Sequence, residues 1–302
     1  MSRNVLITGA GGFVGTCLAE GLARAGLSVT GLDARFDSAA RARLSGSTLI
    51  ECDLAQGMPE DLGRFDIVIH GAAVTTSPED FGLSPVAHLK LNCDLTFTAL
   101  DFATRCGASD FVFISSSGVF GADDGEDVLL EDMAATASIP YALAKRAGEM
   151  FVEGLSGPAM RAISIRLGPI YGEAEAVRET RRNLSPMRRW IDAGRRGAPV
   201  MVESPASHRD WTYGPDLPHA LLALLDREPA ISGVYHLTSG EAIADMDLAR
   251  RIAAAFDVGV IAHDPPAFAA RKPMSSTRIA PGALYGWTPL ATGLSRMMEA
   301  AR

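Results

Sequence analysis

The sequence has few of the features that mark secreted, membrane-spanning or metal-binding proteins. Its 302 residues contain four cysteines that form no CxxC pair, so a disulfide scaffold is not expected and a reducing cytoplasm is the predicted location. No apolar run approaches the ~20 residues that a membrane span needs. The opening segment MSRNVLITGAGG enters a strand-like run and shows no signal-peptide cleavage site.

Positive charge and clustered metal ligands are also scarce. Lysine and arginine total 28 against 36 aspartates and glutamates, which gives a formal net charge of -8 and a pI near 5.3. This balance argues against nucleic acid or an anionic membrane as a partner, and its ordinary meaning is solubility. The six histidines are scattered without an HExxH pattern, so no metal site is predicted.

The sequence does contain a regular alternation of short β-branched runs with helix-length segments. Runs such as FDIVIHG and DFVFIS are apolar nearly throughout, which is typical of parallel strands covered by helices on both faces. The pattern predicts an α/β fold with a doubly wound parallel sheet. Predicted strands span 4–8, 28–33, 47–52, 66–71, 110–115 and 161–166, and predicted helices span 13–26, 85–105 and 140–155.

A glycine-rich loop lies between the first strand and the first helix. The segment TGAGGFVG places Gly9, Gly12 and Gly15 three residues apart. The first glycine permits a tight turn, the second lets the backbone approach a pyrophosphate, and the third permits close packing of helix on strand. Phe13 and Val14 lie at the helix N-terminus, where an anion binds. The loop predicts a dinucleotide in a Rossmann-type domain, and a glycine turn without a nucleotide is the alternative.

Residues after the next strands extend this predicted cofactor site. Asp33 ends the second strand, 18 residues beyond the last glycine of the loop, where a carboxylate binds the ribose hydroxyls and repels a 2′-phosphate. NAD is therefore predicted over NADP, although Arg35 softens this preference. Asp53 and Leu54 follow the third strand and either contact the adenine or form a turn. Ala72 follows the fourth strand in HGAA, where small residues let a flat cofactor lie against the backbone.

A tyrosine and a lysine share one face of the third predicted helix. In PYALAK, Pro140 suits the first helical position, and Tyr141 and Lys145 are four residues apart. A nearby ammonium group and the helix N-terminus stabilise a phenolate and lower a pKa that starts at ~10. Such a phenol exchanges a proton with a substrate hydroxyl while hydride moves to or from nicotinamide. An ordinary surface pair is the alternative, and the dinucleotide loop upstream disfavours it.

Together these segments resemble the NAD-dependent epimerase/dehydratase branch of the extended short-chain dehydrogenase/reductase superfamily. The resemblance covers nearly the whole chain through TGAGGFVG, HGAA and YALAK, and through RLGPIYG (166–172), HRDWTYGPD (208–216) and YHLTSGE (235–241). It implies a cytoplasmic enzyme with tightly held NAD(P), often a homodimer joined by a four-helix bundle. Helices near 86–105 and 140–155 would form that bundle here, unless their apolar faces belong to the intramolecular core.

The resemblance assigns roles to three side chains. It implies that Tyr141 transfers the proton, that Lys145 binds the nicotinamide ribose and lowers the tyrosine pKa, and that a serine holds the reacting oxygen. In ISSSGVFG, counting back four residues from Phe120 gives Ser116, whereas the last hydroxyl of the run is Ser117. Ser116 is preferred, because the count from the Val119-Phe120-Gly121 anchor needs no gap. Alternation along the strand would then turn Ser115 and Ser117 elsewhere. Ser117 stays a candidate substrate contact because the register is open by one residue.

Three departures from the family pattern narrow the range of reactions and substrates that we expect. Ser117 and Gly118 stand where sugar 4,6-dehydratases carry Asp-Glu, so water elimination is not expected. Pro169 replaces an asparagine that helps hold the diphosphate of nucleotide sugars, and proline has neither a side-chain amide nor a backbone N–H. Arg209 matches a phosphate-contacting arginine and suits a carboxylate equally well. Nearby arginines either attract an anion as well or form a solvated helix face: Arg178, Arg181, Arg182, Arg188 and Arg189.

The sequence therefore predicts an NAD-dependent dehydrogenase that acts on a secondary alcohol of a sugar or sugar acid. Residues 1–166, to which 206–238 return, are expected to form the NAD-binding domain, and 167–205 with 239–302 a smaller substrate-binding portion. One alternative is a nucleotide-sugar 4-epimerase that retains its NAD. A more distant one is a non-catalytic NAD-sensing protein.

Overall fold

A seven-stranded parallel sheet takes six strands from the first 167 residues of the chain and one further strand from residues 233–237. The computed structural model describes residues 2–177, 183–227 and 231–300. The strands are β1 Asn4–Thr8, β2 Ser28–Asp33, β3 Thr48–Glu51, β4 Ile67–His70, β5 Asp110–Ser116, β6 Arg161–Leu167, β7 Ile170–Tyr171, β8 Val200–Val202, β9 His208–Asp210, β10 Thr212–Tyr213, β11 Gly233–Leu237, β12 Ala242–Ala244 and β13 Val260–Ala262. The helices are α1 Phe13–Arg24, α2 Ser38–Arg43, α3 Pro78–Phe81, α4 Pro85–Cys106, α5 Pro140–Leu155, α6 Pro186–Arg195, α7 Leu217–Leu225, α8 Asp245–Phe256, α9 Pro281–Leu284 and α10 Leu290–Ala300.

The strand order across this sheet is β3-β2-β1-β4-β5-β6-β11. The order in which strands are added reverses at β1: β2 and β3 lie on one side of it, and β4 and the later strands lie on the other. In α/β proteins, ligands bind in the crevice outside the carboxyl ends of the strands at such a switch point. The doubly wound, Rossmann-type parallel sheet predicted from the sequence is confirmed. β11 pairs with β6 along one edge, with Tyr235 opposite Ile165.

Apolar side chains cover both faces of the sheet. On one face Leu22 of α1 packs in a cluster with Leu221 of α7. On the other face Leu100 of α4 packs in a cluster with Val152 of α5. β4 is buried along its whole length, which explains why its sequence shows no polar alternation.

Element bounds differ from the predicted ones only near their ends. β5 continues through Ser116, one residue beyond the prediction. β3 and β4 are each shorter than predicted by one residue at both ends. α1 ends at Arg24 rather than at residue 26, because Gly26 has a positive φ of 89° that a helix cannot contain.

A further apolar cluster lies outside the sheet and joins α6, α8 and α10. Trp190, Leu248 and Leu294 represent these three helices in it. The two-stranded sheets β7–β10, β9–β12 and β8–β13 each contribute residues to this cluster or pack residues against it. The division of the chain into a cofactor domain and a substrate portion stays a prediction. None of the helices in the described residues combines the length and apolar character that a membrane span requires.

Candidate active site

The glycine loop turns tightly between β1 and α1. Gly9 has a positive φ of 74°, and a Cβ atom there would lie 2.6 Å from the backbone nitrogen of Ala72. A Cβ atom on Gly15 would lie 2.1 Å from the carbonyl oxygen of Gly9. Both positions therefore require glycine, and the loop lies directly against the residues that follow β4.

The N-terminus of α1 opens beside this loop. Gly12 is an extended N-cap residue, and no side chain of the described residues caps the helix there. Phe13 and Val14 begin the helix, where backbone N–H groups and the helix dipole favour an anion. A glycine turn that leads into a helix start without a side-chain cap fits the pyrophosphate of a dinucleotide.

Asp33 faces the glycine loop from the end of β2. Its Oδ2 accepts a 2.9 Å hydrogen bond from the backbone N–H of Gly11, and its Oδ1 accepts one of 3.2 Å from the N–H of Arg35. The side chain is half-buried. The carboxylate is therefore fixed at the edge of the loop, where the sequence predicts a ribose contact.

Three neighbouring residues make structural contacts. Asp53 accepts a 3.0 Å hydrogen bond from the N–H of Ala55 and so caps a short turn, while Leu54 is buried in the core. Their adenine contact stays a prediction. His70 is fully buried, with its Nδ1 atom 2.8 Å from the hydroxyl of Thr8. Burial lowers the pKa of His70 to about 3, so this imidazole is neutral.

Tyr141 and Lys145 lie in the first turns of α5. The Nζ atom of Lys145 donates a 2.7 Å hydrogen bond to the carbonyl oxygen of Ile114 and lies 5.7 Å from the centre of the Tyr141 ring. Burial lowers the pKa of Lys145 to about 8, and the nearby carboxylate of Glu149 opposes this effect. The ammonium group is therefore held between the phenol ring and the end of β5.

The three serines at the end of β5 have different partners. Ser115 donates a 2.6 Å hydrogen bond to Glu149, away from the cavity described below. Ser116 Oγ accepts a 3.0 Å hydrogen bond from the N–H of Gly118. Ser117 begins a single 3-10 turn. Because the strand ends at Ser116, alternation no longer applies, and the expectation that Ser117 turns elsewhere is wrong: Ser116 and Ser117 both line the cavity.

A cavity of about 600 Å³ opens in front of these side chains. Ser116 and Tyr141 line its wall together with Arg209 and Arg271. Its size is that of a small-molecule site. Other wall residues are Phe120, Ile139, Pro169, Asp210, Phe268 and Lys272. The candidate acid/base and three cations thus line one cavity.

Two of the three cations of the cavity, Arg209 and Lys272, are held by hydrogen bonds to neighbouring groups. Arg209 directs Nε to both carboxylate oxygens of Asp245, at 2.9 and 3.0 Å. Desolvation and the nearby charge of Arg209 lower the pKa of Arg271. Lys272 donates to three carbonyl oxygens of the 122–125 loop at 2.8–3.1 Å. The mutual repulsion of the two arginines favours an anion beside them.

The comparisons with known proteins agree with this geometry. Residues 5–237 match the model of the NAD dependent epimerase/dehydratase family. The chain belongs to this family. The family predicted from the motifs is therefore confirmed, and NAD is the cofactor of the family, as predicted.

Relatives within the NAD-dependent epimerase/dehydratase family include more than one kind of enzyme. A UDP-glucose 4-epimerase of Corynebacterium glutamicum is 27% identical over 98% of this chain and 94% of its own length. A decarboxylating sterol-4-alpha-carboxylate 3-dehydrogenase of Dictyostelium discoideum is 27% identical over 80% of this chain and 73% of its own length. The epimerase Mth375 of Methanothermobacter thermautotrophicus has a TM-score of 0.83 at 23% identity, covering 99% of this chain and 92% of its own. This last likeness shows the shared fold.

Two groups of basic residues in this family member can be compared with the sequence-based expectation. In the predicted arginine run, Arg178, Arg181 and Arg182 lie outside the described residues. Arg188 pairs with Asp192 at 3.1 Å and Arg189 pairs with Glu203, which agrees with a solvated helix face. Sequence reasoning missed Arg271 and Lys272, whose only local signal is a pair of adjacent basic residues in the proline-rich segment PPAFAARKP.

Proposed function

We propose that this family member oxidises a secondary alcohol of a small sugar acid with NAD, and that the same residues carry the reverse reduction. The observation that carries the proposal is the single cavity in which Ser116 and Tyr141 share the wall with Arg209 and Arg271. A substrate with a hydroxyl group at one end and a carboxylate at the other complements both sets of side chains.

Tyr141 is the proposed acid/base. Its ionised phenol oxygen takes the proton of the substrate hydroxyl. The Ser116 hydroxyl donates a hydrogen bond to the oxygen of that substrate hydroxyl. The ammonium group of Lys145, 5.7 Å from the phenol ring, stabilises the phenolate by its charge. NAD, when bound, supplies the hydride acceptor. Among the described residues that line the cavity, Tyr141 is the only phenol, because Phe120 stands where the family pattern has a tyrosine.

The two arginines are the proposed binding site for the carboxylate. A guanidinium group matches a carboxylate through two parallel N–H···O bonds. Arg209 uses Nε for Asp245 and lines the cavity. Pro169 lines the same cavity and has no N–H to offer a diphosphate. A compact anion is therefore favoured over a nucleoside diphosphate.

NAD is the proposed cofactor in preference to NADP. The Asp33 carboxylate is fixed beside the glycine loop by the N–H of Gly11, at 2.9 Å. A negative charge at that point hydrogen-bonds the ribose hydroxyls of NAD and repels the 2′-phosphate of NADP. The chemistry of the loop, with its glycine turn and helix N-terminus, serves both cofactors equally, so discrimination rests on Asp33.

A nucleotide-sugar 4-epimerase is the second candidate. It is favoured by the UDP-glucose 4-epimerase of Corynebacterium glutamicum, which matches nearly the full length of this chain. The first half of that reaction uses the same groups, since an epimerase oxidises the alcohol and then returns hydride to the other face. Arg209 and Arg271 would then hold phosphate oxygens in place of a carboxylate. The two candidates differ in whether reduced cofactor is released.

A homodimer through α4 and α5 is also proposed. Val86 and Met150 are more than 70% exposed on these two helices, and Phe97 is 49% exposed while its ring stacks on Phe151 at 4.5 Å. Large apolar side chains grouped on one pair of packed helices are typical of a protein–protein interface. A second copy of the chain would cover them as a four-helix bundle.

A substrate panel tests the proposed function. Sugar acids, free sugars and UDP- or dTDP-sugars are each incubated with NAD⁺ and with NADP⁺, and both reduced cofactor and isomerised sugar are measured. Net NADH from a sugar acid supports the dehydrogenase. An isomerised nucleotide sugar without net NADH supports the epimerase, and neither product from any compound contradicts both.

A further inference from the structure

Glu149 is a buried carboxylate that neither candidate reaction uses directly. It lies in α5, four residues after Lys145, and is 7% exposed. Its Oε1 atom accepts hydrogen bonds from the Ser115 hydroxyl at 2.6 Å and from Arg166 Nε at 2.8 Å. Its Oε2 atom accepts a further bond from Arg166 Nη2 at 2.8 Å. The side chains of Ser115 and Arg166 are therefore both held by one carboxylate group.

These contacts lie directly behind the reacting groups. Ser115 and Arg166 are register partners in the β5–β6 pair, so Glu149 joins both strands to α5. Ser115 immediately precedes Ser116, and the carbonyl of Ile114 accepts the bond from Lys145. Two successive turns of α5 thus hold two successive residues of β5. The distance between Ser116 at the end of β5 and Tyr141 on α5 depends on these contacts.

The charge of Glu149 also acts on Lys145. Lys145 is buried beside the neutral imidazole of His70 on β4, the phenol ring of Tyr141 and the aromatic face of Phe113. Burial disfavours the ammonium form of Lys145 and lowers its pKa. The Glu149 carboxylate favours the ammonium form and acts on the pKa in the opposite direction. The guanidinium group of Arg166 on β6 is a second positive charge beside Glu149, and it binds both carboxylate oxygens of Glu149.

We propose that Glu149 is a positioning residue of the active site, which holds the end of β5 against α5 and supplies the negative charge that keeps Lys145 in its ammonium form. The inference rests on the proposed function for the roles of Ser116, Tyr141 and Lys145. Arg166 has the complementary task of neutralising Glu149 in the interior, because an unpaired buried carboxylate would itself take up a proton.

The lysine content of the chain permits a direct test. The sequence contains three lysines, Lys90, Lys145 and Lys272, so side-chain NMR of lysine-labelled protein gives three resolvable titrations. The signal that disappears in Lys145→Met belongs to the buried lysine, Lys145. In the whole 302-residue chain, with and without NAD, Glu149→Gln is expected to lower the pKa of Lys145 by at least about one unit. Arg166→Met leaves Glu149 unpaired and so favours its protonated form, and it is therefore expected to lower the Lys145 pKa as well. Glu149→Asp, which retains the charge, is expected to leave it nearly unchanged.

A matched control and a second variant make each outcome decisive. Glu153→Gln removes an exposed carboxylate one turn further along the same helix and should leave the Lys145 titration unchanged. If Glu149→Gln does not fold because Arg166 is left unpaired, the Glu149→Gln/Arg166→Met double variant replaces it, since loss of both charges is tolerated better than loss of one. A Lys145 titration that is the same in the wild type and in the folded variant would overturn the proposal.

The activity profile separates this inference from the proposed function. With a turned-over substrate, the acid limb of the pH–kcat/KM profile should move to higher pH in the Glu149 variant, with roughly tenfold lower kcat at neutral pH that recovers in alkali. A loss of kcat by the same factor at every pH indicates a purely structural role and contradicts the charge assignment. If the wild type turns over no compound of the panel, the proposed function fails, and the NMR titration still decides the role of Glu149.

Discussion

The ammonium nitrogen of Lys145 lies 5.7 Å from the centre of the Tyr141 ring and donates a hydrogen bond to the last-but-two carbonyl of β5, that of Ile114. This relationship joins a helix and a strand at the site of proposed proton transfer. It also places a cation in the interior, where burial opposes its charge. The protein therefore maintains a group that its fold disfavours, which is common at reacting centres.

The stability cost of Lys145 is the first prediction. Its pKa in the folded protein is about 8 against an ordinary value of 10.5, so the unfolded chain holds more protons between these values and stability should rise with pH across that window. Lys145→Met should raise the free energy of unfolding at neutral pH by about 1–3 kcal/mol, the cost of the cation less its hydrogen bond. The variant should lose about 10²-fold or more in kcat.

Urea unfolding of both proteins measures this effect, and Lys90→Met is the control. Lys90 is exposed and pairs with Asp94 on the surface, so its replacement should change stability by less than about 0.5 kcal/mol. A Lys145→Met protein that is less stable than the wild type would show that burial of this cation has no net cost.

Arg271 should govern affinity for the anionic end of the substrate. Arg271→Met removes one guanidinium from the cavity without unpairing another buried charge, whereas removal of Arg209 would leave Asp245 unpaired. KM for the anionic substrate should rise about 10- to 100-fold with little change in kcat, the usual cost of losing charged hydrogen bonds. Steady-state kinetics with a neutral sugar and with the exposed-surface variant Arg250→Met are the controls, and an equal rise of KM for neutral and anionic compounds would refute the assignment.

Asp210 should make stability depend on mildly acidic pH. Its side chain is 1% exposed, and burial raises its pKa to about 6 from 3.8 although Thr238 and the N–H of Met274 donate hydrogen bonds to it. The folded protein then holds more protons than the unfolded chain between pH 4 and 6, so the free energy of unfolding should fall as pH rises through this window. The difference between wild type and Asp210→Asn isolates the effect, and Asp247→Asn, at an exposed position, should reproduce the wild-type slope.

The exposed rings of α4 should control association. Phe97→Glu introduces a charge beside Phe151 at the proposed contact and is expected to convert dimers to monomers. Light scattering coupled to size exclusion measures the mass over a range of concentrations. Ile261→Glu, at an exposed position on β13 far along the chain from α4, is the matched control and should leave the mass unchanged. A wild type that is monomeric at all concentrations would contradict the dimer.

The sequence predicts well what depends on local spacing. Tyr141 and Lys145 are separated by one helical turn, and Gly9 and Gly15 by one loop, so their relationships follow from the chain itself. The apolar runs predict the parallel sheet for the same reason, because burial on both faces removes polar alternation.

The parts of the site that sequence reasoning missed depend on long-range folding. Arg271 reaches Arg209 only because its segment hydrogen-bonds back to β9 and the preceding loop, through His208 N–H to the carbonyl of Arg271 and Arg271 N–H to the hydroxyl of Ser207. Ser117 enters the cavity because a 3-10 turn replaces the last step of the strand. Neither event leaves a periodic signal in the sequence.

The central claim is that Tyr141 moves the proton, and Tyr141→Phe tests it most directly. The substitution removes one oxygen atom and leaves the ring and the Lys145 contact, so NAD affinity and the fold should be retained. Tyr285→Phe, on a tyrosine outside the cavity that stacks on His219, is the control and should keep full activity. Once a substrate is found, the account predicts a loss of at least about 10³-fold in kcat with an unchanged NAD dissociation constant. Turnover in Tyr141→Phe near the wild-type rate would contradict it.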